Sequence, residues 1–150
     1  MPDGGTTVIM QGKRRFRLLE MVSTDPYFKA KVEYLKEAQE PDDEHFKAMV
    51  GSIKELATQI IQLSPNIPSE AAIILKNIEQ ASFLIHFVAG NMNTDVKEKQ
   101  AILELESIAQ RAEELSKLLN RELQVAQLKD QVTNKTRTEI DKQQRVYFLQ

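Results

Sequence analysis

Hydrophobic spacing changes period once along this sequence, near residue 40, and that change constrains the fold more than any other feature. Before it, apolar and polar residues alternate. After it, apolar residues recur at steps of three and four. The first pattern belongs to half-buried strands and the second to amphipathic helices. The chain is therefore read as mainly α with a β portion (α+β). A short antiparallel three-strand remnant comes first, followed by a helical bundle that ends in a long projecting helix.

The strands are expected in three runs. Thr6 to Gln11 places Val8 and Met10 on one face, and Gly12-Lys13 follows as a turn. Arg14 to Val22 sets Phe16 and Leu18 against Arg15 and Arg17. After Asp25-Pro26, Tyr27 to Lys36 sets Phe28, Ala30, Val32 and Tyr34 opposite Lys29, Lys31 and Glu33. Turn residues between alternating runs mark a meander. Such a small sheet is marginal alone, so residues 1–38 are expected to be the C-terminal part of a larger, truncated β-rich domain. Its apolar face and open edges could also hold an extended peptide by strand addition.

Residues 39–43 read as an acidic, Pro-containing linker, and 44–132 as the bundle. Phe46, Met49, Val50, Ile53, Leu56, Ala57, Ile60 and Leu63 form the first helical stripe. Asp42 and Asp43 sit where carboxylates favour a helix start, and Ser64-Pro65 should end the helix. A second helix is expected from Pro68 to Gly90-Asn91, carrying Ile74, Leu75, Ile78, Ala81, Ile85 and Val88. Asn93, Thr94 or Asp95 would cap a third, reaching about Leu105. Ser107 with Gln110 fits a capping box at the start of the last and longest helix.

In that helix Leu105, Ile108, Ala112, Leu115 and Leu119 step like a coiled-coil seam, which then shifts to Leu118, Val125, Leu128 and Val132. Leu115, Leu119, Val125, Leu128 and Val132 are the candidate helix–helix assembly positions. Residues 133–150 lose the stripe and alternate in charge, as a solvated extension would. Tyr147, Phe148 and Leu149 then form an apolar cluster, taken to mean that the helix continues to another contact.

No reacting site can be assembled from motifs. The phosphate loop, the dinucleotide fingerprint, the nucleophile elbow and H-E-x-x-H are all absent from the sequence. Cysteine is also absent, so there is neither a disulfide framework nor a thiolate, and a reducing compartment is the simple expectation. Asp42, Asp43, Glu44 and His45 are the one acidic cluster with a histidine, and a solvated helix start explains them better than a metal site. His86 flanks an apolar face and reads as structural. The segment from Ala71 to Ala89 is the most apolar, but Lys76, Glu79 and His86 argue for a buried core helix over a membrane span. Lys13, Arg14, Arg15 and Arg17 make a basic run. A net charge of −2 gives no wider field for nucleic acid, and the run reads first as an exposed strand face with opposite charges nearby; the second reading makes Arg14, Arg15 and Arg17, with Phe28 and Tyr34, candidate polypeptide contacts.

An ordered series of short motifs resembles the Lon family of ATP-dependent proteases. Met1-Pro2-Asp3-Gly4, Val8-Ile9-Met10-Gln11-Gly12, Arg14-Arg15-Phe16-Arg17 and Pro26-Tyr27-Phe28-Lys29-Ala30-Lys31-Val32-Glu33 look like the end of its N-terminal β-domain. Lys99-Gln100, Leu103-Glu104, Arg121-Glu122-Leu123, Leu128 and Lys142-Gln143-Gln144-Arg145-Val146-Tyr147-Phe148-Leu149-Gln150 look like the helical part leading to the ATPase module. The resemblance implies a non-catalytic segment that engages unfolded, misfolded or regulatory proteins and supports a homohexamer in the cytoplasm of a bacterium or within an organelle. It implies ATP and Mg in the parent protein, and an ATPase and a Ser-Lys serine protease dyad outside this sequence. Within these 150 residues it implies no catalytic, cofactor-binding or metal residue. A stand-alone coiled-coil scaffold or interaction adaptor is the alternative that the helical seam alone would support.

Overall fold

In the computed structural model, residues 3–149 are described, with side chains up to Arg145. They divide into two compact units, 1–38 and 39–150.

In the first unit, β1 (Phe16–Ser23) pairs antiparallel with β2 (Lys29–Tyr34). The register explains how an imperfect alternation still yields two coherent faces. Phe16 lies opposite Tyr34, Leu18 opposite Val32 and Met21 opposite Ala30. Between these, Arg17 meets Glu33, Glu20 meets Lys31 and Ser23 meets Lys29. Leu19 and Val22 are the extra residues at two register shifts. Without the first shift, Glu20 would fall on the face of Phe16 and Leu18. With it, Glu20 moves to the polar face and Met21 takes its place, as expected when two residues oppose one. Ion pairs Arg17–Glu33 at 3.7 Å and Lys31–Glu20 at 3.8 Å line the polar face.

The expected strand over Thr6–Gln11 does not form, so the sheet has two strands among the described residues. Val8, Ile9 and Met10 are three consecutive apolar residues, and all three are exposed. A consecutive run specifies no face, and neither edge of the hairpin pairs with it.

The second unit starts with α1 (Glu44–Leu63). Asp43 caps it, its Oδ1 accepting from the Phe46 N–H at 2.6 Å. The helix ends at Leu63 with Ser64 as its C-cap, ahead of Pro65. Phe46, Ile53 and Ala57 point into the core, with Met49, Val50, Leu56 and Ile60 packed around them.

The single helix expected from Pro68 to Asn91 is two helices, α2 (Glu70–Lys76) and α3 (Ala81–Asn91). Neither Pro nor Gly stands at the break between them. The freed backbone groups find partners from far along the chain instead. Lys54 Nζ donates to the Ile78 carbonyl at 2.6 Å, and Glu40 Oε1 accepts from the Ser82 N–H at 3.0 Å. Tertiary hydrogen bonds thus replace the missing helical ones. Leu84, Ile85, Val88 and Ala89 make α3 the buried centre of the bundle.

Asp95 caps α4 (Val96–Glu104), accepting from the Glu98 N–H at 2.9 Å. The Ser107/Gln110 box opens α5 (Ile108–Leu149), its two members exchanging hydrogen bonds of 3.2 and 3.4 Å. Ile108, Ala112, Leu115 and Leu119 bury themselves against the core, chiefly along α1. From Gln127 to Arg145 every side chain of α5 is exposed. The terminal apolar cluster Tyr147-Phe148-Leu149 lies outside the residues whose side chains are described.

Candidate functional site

Two surfaces merit description, one on each unit. On the hairpin, Phe16, Leu18, Met21, Val32 and Tyr34 form an open apolar face, and Phe28 stands beside it at 77% exposure. The three candidate arginines are placed differently from one another. Arg14 lies over the Tyr34 ring, 5.4 Å from its centroid, in a cation–π arrangement. Arg15 grips Glu37 with Nε–Oε1 at 2.5 Å and Nη2–Oε2 at 3.4 Å. Arg17 faces Glu33 on the polar side. Lys29 sits 5.0 Å from the Tyr27 ring centroid. The face is therefore aromatic and aliphatic, with Arg14 adjoining it.

On the helical unit, the candidate assembly residues separate into two groups. Leu115 and Leu119 are fully buried within this chain's own bundle, so they are not surface positions. Their seam is intramolecular because α1 covers it. Val125, Leu128 and Val132 lie beyond that cover and are exposed, Val132 at 64%. They border an open groove of about 1230 Å³, whose other walls include Ile60, Leu63, Ile67 and Phe87. A Phe83–Phe87 stack with centroids 5.9 Å apart continues the apolar surface along α3.

The electrostatics serve architecture. Glu98 of α4 binds Arg121 of α5 through Nη1–Oε1 at 2.7 Å and Nη2–Oε2 at 2.8 Å, and Thr94 also donates to Glu98. The Arg121 hydrogen bond holds the Glu98 carboxyl below its ordinary value, and Glu98 in turn raises Arg121. Lys117 is raised by its hydrogen bond to Glu114. Asp42 and Glu44 lie 3.1 and 3.9 Å from Lys47, while Asp43 is occupied as the cap, which accounts for the acids of the first cluster. Among the described residues no three His, Asp or Glu side chains gather where they could hold a metal ion. No helix among them is long and apolar enough to cross a membrane.

One structural residue gave no sign of itself in the periodicity. Arg111 is fully buried, its Nη1 donating to the carbonyls of Leu105 at 2.6 Å and Glu106 at 3.3 Å. A charged residue next to the apolar stripe reads as solvent-facing until the α4–α5 turn is seen folded over it.

What these units present is shape, exposed apolar surface and ion-pair scaffolding, the equipment of a binding module. Residues 1–121 match the family described as the ATP-dependent protease La (LON) substrate-binding domain, and the chain belongs to that family. It is 51% identical to a Lon protease of Flavobacterium johnsoniae over 150 residues, covering 99% of this chain and 18% of that protein. A Lon protease of Cytophaga hutchinsonii is 43% identical and one of Karelsulcia muelleri 45% identical, with the same shares covered. The chain thus spans about 18% of the length of these relatives.

Proposed function

We propose that this chain is the non-catalytic N-terminal segment of an ATP-dependent Lon-type serine protease of the bacterial cytoplasm. It engages unfolded or regulatory polypeptides and supports assembly of a hexamer. ATP, Mg and the Ser-Lys dyad belong to other parts of that protein. The observation that carries this reading is the match to a substrate-binding domain over residues 1–121. The exposed hairpin face supports it, because an aromatic and aliphatic surface with open strand edges suits an extended apolar segment.

Fluorescence anisotropy with a labelled, permanently unfolded protein such as reduced and carboxymethylated lactalbumin tests the binding role. Binding should weaken at least several-fold in F28A/Y34A, with the helical content unchanged. A chain that binds no unfolded protein in this assay refutes substrate engagement. Assembly is tested separately by sedimentation, where V125S/L128S/V132S should lower self-association if the exposed stripe takes part.

A further inference from the structure

We propose that α5 carries a built-in joint at Thr133–Thr138, where the arm beyond opens and bends independently of the bundle that anchors the helix.

Two independent observations bear on this segment. The first is loss of cover. The apolar stripe runs through Leu119 and Leu123, thins to the exposed Val125, Leu128 and Val132, and then stops. From Thr133 to Arg145 every residue is exposed, with Ile140 the one large apolar side chain. A helix without a packed face depends on its intrinsic propensity, and short helices in water are marginal on that basis.

The second observation is that propensity is poorest within the uncovered stretch, two turns past Ala126, the last partly buried residue. Thr133-Asn134-Lys135-Thr136-Arg137-Thr138 contains four residues from the weak end of the helix scale within six positions. Each threonine hydroxyl donates to the carbonyl four residues back: Thr133 to Lys129, Thr136 to Val132 and Thr138 to Asn134, all at 2.9 Å. Those carbonyls are also the acceptors of the helical ladder, and such competition weakens and bends helices. The same bond occurs at Thr58 and Ser116, but there both residues are half-buried within the bundle. The difference at 133–138 is that, among the described residues, nothing covers the helix to hold it straight.

The consequence is graded stability along one continuous helix. Residues 108–123, which carry the buried stripe, open only when the bundle opens. The segment at 133–138 opens by itself, so the arm can reorient without any loss of core packing. This goes beyond polypeptide binding and does not depend on it.

Residue-resolved amide hydrogen exchange on the 150-residue chain tests the joint. The expected result is a step in protection between Val132 and Lys135. T133A/T136A/T138A should slow exchange of the amides at 134–139 by about tenfold, from the summed propensity gain. A control, I140A/D141A/Q144A, places three alanines past the joint and should change those amides less than about twofold. Protection that declines smoothly to the C-terminus overturns the joint, since that is ordinary end fraying. An unchanged rate in the threonine variant, or equal slowing by the control, overturns it as well.

Discussion

Replacing Arg111 by Met asks whether a buried charge holds the α4–α5 turn together. Met keeps the length and apolar character of the side chain but removes the guanidinium. In the parent, Nη1 donates to the Leu105 carbonyl at 2.6 Å and the Glu106 carbonyl at 3.3 Å, close to where α4 ends and its last carbonyls lack helical partners. A charge-assisted hydrogen bond is worth about 1.5–3 kcal/mol net, and the longer second bond adds less. Against this, Met relieves the cost of holding a cation out of water. The expected loss is about 2 kcal/mol for R111M. R111A should lose about 4 kcal/mol, because some three buried methylenes disappear as well, at about 0.8 kcal/mol each. The chain has no Trp, so urea unfolding is best followed by far-ultraviolet circular dichroism, which reports the helical unit. The denaturation midpoint should fall while the slope stays constant. An R111M chain within about 0.5 kcal/mol of the parent would refute the reasoning, because the desolvation cost would then match the hydrogen bonds.

Other perturbations have equally definite outcomes. Asp43→Ala removes the acceptor of the Phe46 N–H and should cost about 1 kcal/mol in the same unfolding assay. Leu115→Ala should cost about 2–5 kcal/mol, whereas Val132→Ala should stay within about 0.5 kcal/mol, because the first empties core volume and the second alters an exposed position. Glu98 has a folded pKa below its unfolded value of 4.5. Its contribution is therefore present above that value and is lost as pH falls through the folded pKa. Stability measured against pH should show a shallower acid limb in Glu98→Gln than in the parent, and identical limbs would remove Glu98 from the account.

The helix boundaries set by local chemistry could be read directly from the residues. Asp43, of the two acids expected at the start of α1, and Asp95, of the three cap candidates before α4, are the caps; the Ser107/Gln110 box opens α5 and Ser64-Pro65 ends α1. The break at 77–80 could not be read this way. It depends on Lys54 and Glu40, which lie 24 and 42 residues from the atoms they bond. The missing first strand is the converse case: Val8 to Met10 are apolar enough, but a strand needs a neighbour and the pattern does not supply one. The surface residues show the same limit. Spacing put Leu115 and Val132 on one seam, yet α1 covers only the first. The burial of Arg111 follows from the α4–α5 turn five and six residues before it, which the apolar periodicity of α5 does not register.

The two extra residues of β1 have a consequence for how this hairpin tolerates change in length. Removing Leu19 from Phe16-Arg17-Leu18-Leu19-Glu20-Met21 leaves a run in which Phe, Leu and Met alternate without interruption with Arg and Glu. A one-codon deletion there would abolish the first of the two irregularities and keep every cross-strand partner on its present side. The same deletion at Arg17 would instead set Leu18 opposite Glu33 and cost the polar face the cation that β1 supplies. The hairpin therefore contains spare positions at Leu19 and Val22, where the gene can lose a residue and the cross-strand pairs remain the same.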